Sequence, residues 1–435
     1  MKFAPKLLAP LLQPLQYVTG NLRVLTVTDL LGNFSRRLVF PYASLYILAL
    51  GGSATQIGLI AFLSQVAGLF LLPVAGHITD RADRIRLLVL AGFLSTAFLA
   101  LNVIAPNWQM IGLATLLTGL VVFQFPAYAS LVADALVRGG RGQGIGVTNT
   151  VSNSLAIVAP YLAGLVVVRW GDNLGIRVLY GIMVVLYLAQ TLIQMRFLRE
   201  PSGAPRESLR LQAMLDALGQ AYRGIPALVR QMPAALRALA LVIMLSFITQ
   251  SLVGPFWVVY AVDRAGLSAA QWGLILLVES VVGVALFIPA GMLVDRWGRT
   301  TTLVTALVLS TLATPLFVIL SGFAAVLLVR GVLAVAFVLG LASCVALMAD
   351  LVPRASRGQV MAAIGMGGIQ LGSVGNPGGP AVGYLIIPPV MLAGLAGGFL
   401  YALNPVVPWI VATGTGLLAV VLAVAFVRDP GDPEE

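Results

Sequence analysis

The sequence predicts an all-α membrane protein of twelve transmembrane helices in two six-helix bundles, with both termini cytoplasmic. Three observations carry this: long runs without charge, a pattern that occurs twice, and basic residues confined to one side. Of 435 residues, 59% are apolar and 10% are charged, and the mean hydropathy is +0.99. A typical soluble domain has about 25% charged residues. A chain folded in water could not hide so much apolar surface.

The runs Leu87–Ile104, Trp108–Ala133, Gly142–Val168, Val178–Met195 and Ala238–Val262 hold no Asp, Glu, Lys or Arg. Each is near or above the roughly 18–20 residues that cross a bilayer as a helix. Membrane-barrel strands would alternate over about 10 residues, and these runs do not. A helix satisfies its own backbone groups in lipid. The first six spans are expected at 23–49, 54–77, 87–105, 109–133, 143–168 and 177–197. The second six are expected at 238–262, 271–294, 301–320, 324–349, 359–386 and 406–427. The last two fill a charge-free run of 70 residues, Gly358–Val427, and are expected to be joined by a long apolar connection.

An even number of spans puts both termini on one side. Of the Lys and Arg residues, 20 fall on that side, three on the other and three within spans. The positive-inside rule makes the rich side cytoplasmic. The chain then divides into an N-terminal cytoplasmic segment (1–22), a bundle (23–197), a linker (198–237), a second bundle (238–427) and a tail (428–435). In the linker, Leu211, Leu215, Leu218 and Tyr222 recur at helical spacing, as in an amphipathic helix on the membrane surface. The net charge of +10 lies in short loops, so no nucleic-acid partner is expected. The one cysteine, Cys344, excludes an internal disulfide. The N-terminal segment lacks the apolar core of a cleaved signal.

The two bundles repeat each other. Leu38-Val39-x-Pro41 with Tyr46 returns as Leu252-Val253-x-Pro255 with Tyr260, offset 214. Gln56-x-Gly58 returns as Gln271-x-Gly273, offset 215. Gly76, Asp80, Arg81 and Arg84 return as Gly291, Asp295, Arg296 and Arg299, also offset 215. Asp134, Arg138 and Arg141 return as Asp350, Arg354 and Arg357, offset 216. Parallel repeats of this kind are related by an axis along the membrane normal, with a substrate site near the midplane.

The residues Gly291-Met292-Leu293-Val294-Asp295-Arg296-Trp297-Gly298-Arg299 resemble the signature loop of the major facilitator superfamily, G-x-x-x-D-R-x-G-R. The first copy, Gly76 to Arg84, keeps the Asp-Arg pair and carries Asp83 where glycine is usual. The resemblance implies a cytoplasmic gate built from Gly76, Asp80, Arg81, Arg84, Asp134 and Arg138, with its copy Gly291, Asp295, Arg296, Arg299, Asp350 and Arg354. In it, Arg81 and Arg296 are expected to reach Asp134 and Asp350, and Asp80 and Asp295 to face helix N-termini. In span eleven Gly375, Gly379 and Gly383 form a stripe, and Gly379-Pro380-Ala381-Val382-Gly383 resembles the family's G-P-x-x-G pattern. Exporters of the family carry that pattern in span five, where this chain has Ala159-Pro160-Tyr161-Leu162-Ala163-Gly164.

Ionisable groups inside the membrane are costly and commonly face an aqueous cavity. Asp29, Asn33 and Arg36 share one face of span one, and Arg37 is turned about 100° away. Arg36 lies about 20 Å from the cytoplasmic end, near mid-membrane. Glu279 on span eight and Arg330 on span ten lie at similar depth and can pair. These six are the candidates for substrate and proton coupling: the arginines for an anionic group, Asp29 or Glu279 for a proton. Locked structural pairs are the competing reading.

His77 stands alone, so no metal site is expected, and Gly142-x-Gly144-x-Gly146 follows no strand. The only lysines, Lys2 and Lys6, lie outside any phosphate loop. No cofactor and no enzymatic activity are expected. The expectation is a monomeric, multi-pass plasma-membrane transporter whose partners are a small solute, protons and the bilayer. Proton-coupled efflux of an amphipathic drug or metabolite comes first, and uptake or facilitated transport of an organic anion is the alternative. A transporter-like sensor would want a large soluble domain, and this chain has none.

Overall fold

The structure, a computed structural model, describes residues 18–136, 141–199, 212, 216, 218–219, 222–353, 356–365, 367–372 and 382–429, without the side chains of His77, Asp80 and Arg141. The described residues are mainly helical, with turns, short 3-10 segments and irregular stretches between helices. Arg138, Arg354, Gly375, Gly379 and most of the expected linker helix lie outside the described residues.

Span one is Gly20–Val39, a tight turn Phe40–Tyr42, and Ala43–Ala49. Pro41 sits in the turn, where its missing N–H interrupts the helix ladder. Span seven repeats this shape, with Ala234–Val253, a turn Gly254–Phe256 around Pro255, and Trp257–Asp263. Span two, Ala54–Arg81, opens with a capping box in which the Ser53 N–H donates to Gln56 Oε1 at 2.7 Å. Span eight, Ala269–Trp297, opens with the same box from Ser268 and Gln271. The duplicated Gln is therefore a helix-start signal.

Span three is Arg84–Ile104. Span four is a pair, Trp108–Gly119 and Gln124–Ala135, bent by 43°. Span five begins with Arg141–Ser154 and continues into the helix Ala159–Phe197. That helix breaks at Gly171, where φ is 77°. The chain reverses there: a Cβ on Gly175 would lie 3.0 Å from the Val167 Cα. The remainder is span six. Spans nine, ten and twelve are Arg299–Ile319, Phe323–Leu351 and Val407–Phe426.

Span eleven differs from expectation. The helix Arg357–Ile364 stops at Gly365, whose φ is 101°, and among the described residues the next helix is Ile387–Leu403. The Tyr384 and Leu385 N–H groups donate to the Ala362 and Ala363 carbonyls, so the chain returns beside the point it left. The two helices are thus the lower and upper parts of one span. The extra length expected as an outer connection is inserted within it. Ile369 and Leu371 of the insertion are buried, and Gly372 lies against Leu333 of span ten. Val382 and Gly383, the described end of the G-P-x-x-G resemblance, are not helical. Hydropathy could not show this, because insertion and span are equally apolar. Non-helical backbone such as that at 369–372 is tolerated in a membrane protein where protein, not lipid, surrounds it.

The starts of spans three and nine are capped by different means. Asp83 accepts from the Arg86 N–H at 2.9 Å. Gly298 stands at the corresponding place in the second half. There Asp429, from beyond span twelve, accepts from the Thr300 N–H at 2.8 Å and from its hydroxyl at 3.0 Å. The departure at Asp83 is a local cap, and its counterpart is supplied from the tail. Asp429→Ala is expected to cost about 1 kcal/mol, the worth of a cap, and Asp429→Asn a few tenths. Thermal unfolding midpoints in detergent check this.

The largest core joins both halves at the end away from the termini. Tyr42, Tyr46 and Ile57 meet Trp257, Trp272 and Trp409 there. Two helix crossings close that end, span two on eleven and span eight on five. At the first, a Cβ on Gly58 would lie 2.7 Å from the Gly398 Cα. At the second, a Cβ on Gly273 would lie 2.4 Å from the Pro160 carbonyl oxygen. Small residues let helices in lipid approach this closely.

Candidate functional site

Span one brings its polar residues into a network with spans four, five and six. Asp29 accepts a hydrogen bond from the Tyr128 hydroxyl. The Arg36 guanidinium donates to Asn33 Oδ1 at 2.5 Å and to the Tyr187 hydroxyl at 3.0 Å. Asn33 Nδ2 donates to the Ser152 carbonyl at 3.1 Å. Asp29, Asn33 and Arg36 are all half-buried, on the shared face that their spacing predicts. Arg37 is exposed and belongs to another face. Low local dielectric strengthens such a network and makes an unpaired member costly.

Span six supplies what the sequence reading missed. Tyr187, Gln190 and Gln194 recur at helical spacing toward span one. Gln194 Nε2 donates to Thr28 Oγ1 at 3.2 Å, and a Cβ on Gly32 would lie 2.7 Å from Gln190 Oε1. Gln190 Oε1 is buried without a hydrogen-bond partner among the described residues. The polar stripe at i, i+3 and i+7 was the available signal; Tyr128, in a run without charge, gave none.

In the second half, Glu279 and Arg330 pair as their depths suggest. Arg330 Nε and Nη2 donate to the same Glu279 Oε2, at 3.1 and 2.5 Å. Nη1 donates to the Gly372 carbonyl at 2.5 Å, so the insertion in span eleven supplies the third partner. The guanidinium carbon stands 4.8 Å from the Trp257 ring centre and 5.7 Å from that of Trp272. Arg330 is fully buried, while the Glu279 side chain is 21% exposed. No hydrogen bond joins this pair to the span-one network among the described residues.

The loop residues correct one expectation. Asp134 is held by Arg84 at 2.6 Å, and Asp350 is held by Arg299. The last arginine of each loop takes the aspartate, in place of Arg81 and Arg296. Arg84 and Arg299 begin spans three and nine, beside the ends of spans four and ten. Arg81 and Arg296 end the preceding helices, and Arg296 is exposed with Asp295. A Cβ on Gly76 or Gly291 would meet nothing within 4 Å.

The Major Facilitator Superfamily model covers residues 26–235 and 239–435. The chain belongs to the major facilitator superfamily. It is 26% identical over 304 residues to the multidrug resistance protein MdtG of Enterobacter lignolyticus (strain SCF1), covering 67% of this chain and 68% of that protein. Its fold is similar to that of a point mutant of the nucleoside transporter NupG, with a TM-score of 0.70 at 12% identity, covering 94% of this chain and 100% of that one. It is also similar to a bacterial homologue of the human lysosomal transporter Spinster, in an inward-facing, unoccupied conformation. There the TM-score is 0.64 at 16% identity, covering 95% and 98%. As a member of this family the chain is an integral membrane transporter.

Proposed function

We propose that this protein exports an amphipathic organic solute across the cytoplasmic membrane by alternating access, in exchange for protons, with Asp29 as the group that carries the proton. Both termini are cytoplasmic, residues 23–197 and 238–427 form the rocking halves, and the unit is a monomer. The observation that carries this reading is the contrast between the two membrane carboxylates. Glu279 receives two N–H groups from a fully buried guanidinium and is committed to that charge. Asp29 receives a hydroxyl from Tyr128, and Arg36 spends its bonds on Asn33 and Tyr187. A hydroxyl both donates and accepts, so Tyr128 can bond either form of Asp29.

The shared outer core supports an orientation closed outside, with the loop residues Asp295 and Arg296 uncommitted on the other side. Those loops, with Gly76 and Gly291, are the surfaces that meet when the halves rock. The relatives named for multidrug resistance support an amphipathic solute. The exposed Arg37 on span one favours a second reading, transport of an organic anion.

Everted vesicles with a dye-reported proton gradient test both. Addition of the exported class of amphiphile is expected to restore fluorescence, and Asp29→Asn to abolish the response while Glu279→Gln does so only by lowering protein yield. Undiminished exchange in Asp29→Asn overturns the assignment. Labelled-anion uptake lost in Arg37→Gln establishes the second reading.

A further inference from the structure

Tyr42 is fully buried where the outer ends of the halves meet. Its hydroxyl lies 2.7 Å from the Pro160 carbonyl oxygen on span five and 3.1 Å from the Ala269 carbonyl oxygen on span eight. These carbonyls belong to different halves. Each has a glycine four residues on, Gly164 and Gly273. A Cβ on Gly164 would lie 2.4 Å from the Ala269 oxygen and 2.8 Å from the Tyr42 hydroxyl. A Cβ on Gly273 would lie 2.4 Å from the Pro160 oxygen and 2.6 Å from that hydroxyl. The two glycines therefore open the crossing, and the phenol enters the gap. A helix carbonyl has a second lone pair to offer after its own ladder bond.

The repeat supplies a comparison within the molecule. Phe256 occupies the place of Tyr42 in the second half, at offset 214. It stacks on Tyr401 at 4.5 Å and has no hydroxyl to give. Tyr42 thus gives the crossing of spans five and eight a hydrogen bond that Phe256 does not give in the second half.

We propose that the Tyr42 hydroxyl is the outer latch of this transporter, a residue that sets the balance between the two orientations of the cavity. While the halves touch, its proton is shared between Pro160 and Ala269. When they part, it turns wholly to Pro160 in its own half. The donor is never left bare in a buried place, so opening forfeits part of one bond instead of the full penalty of an unpaired group. The consequence rests on the alternating-access reading.

The test reads the position of the outer ends and not transport. Spin labels at Pro106 and Ser321, exposed outer residues of the two halves, give their separation in full-length protein in nanodiscs. Tyr42→Phe keeps the ring and is expected to raise the wide-to-narrow population ratio roughly twofold, the worth of the part of one net hydrogen bond that opening forfeits. Tyr46→Phe is the control. Its hydroxyl donates to the Asn102 carbonyl at 2.8 Å within one half, and its loss is expected to leave the ratio unchanged. Gly273→Ala, which drives a Cβ into the crossing, is expected to widen the outer end by contact alone. A ratio unchanged in Tyr42→Phe, with Gly273→Ala widened, overturns the latch and leaves alternating access standing. An equal shift in Tyr42→Phe and Tyr46→Phe also overturns it. No wide population in any variant overturns the alternating-access reading itself.

Discussion

Arg330→Leu is expected to destabilise the protein by about 3–5 kcal/mol, the cost of leaving one member of a buried ion pair behind. The leucine would strand the Glu279 carboxylate, which now holds two guanidinium bonds at 3.1 and 2.5 Å. It would also free the Gly372 carbonyl and remove the cation from between Trp257 and Trp272. Three elements therefore lose a shared anchor: spans eight and ten and the insertion in span eleven. The double variant Arg330→Leu with Glu279→Leu removes both charges and is expected to recover much of the loss, since apolar replacement of a whole buried pair is often close to neutral. Thermal unfolding of the wild type, Arg330→Leu, Glu279→Leu and the double variant in one detergent measures it. If the double variant is as unstable as the sum of the singles, the pair is not coupled, and Gly372 and the indoles carry the effect.

The sequence made the repeat legible because each repeated residue does a local job. Gln56 and Gln271 close capping boxes, and Pro41 and Pro255 bend spans one and seven. The pairing of Glu279 with Arg330 was legible from depth, because a buried charge has few places to go. Three features were not legible. Span eleven was misplaced because apolar composition measures what surrounds a segment, not whether its backbone is helical. The arginine that holds Asp134 was misassigned because spacing in a loop does not say which side of the turn faces span four. The Tyr128 partner of Asp29 lies 99 residues away, and only packing brings it there.

Gly58→Val is expected to separate the halves at the crossing of spans two and eleven, and Gly76→Val, on the same helix, to leave the structure intact. A Cβ on Gly58 would lie 2.7 Å from the Gly398 Cα, 2.8 Å from the Gly394 oxygen and 2.9 Å from the Gly398 nitrogen. All three are backbone atoms, so no side chain can turn aside and the helices themselves must move. Overpacking of this kind costs about 1–3 kcal/mol where side chains can yield, and more where they cannot. Gly398 faces Ala54 and Gly58 equally closely, so helix Ile387–Leu403 must shift as a unit. At Gly76 a Cβ would meet nothing within 4 Å in this orientation. Valine there can do harm only when the cytoplasmic loops close on the opposite half. The expected pattern is therefore a lowered unfolding midpoint for Gly58→Val, and an unchanged midpoint with reduced transport for Gly76→Val. Equal midpoints would mean that the outer ends are already apart in the membrane. Full transport in Gly76→Val would mean that the signature loop does not approach the other half during the cycle.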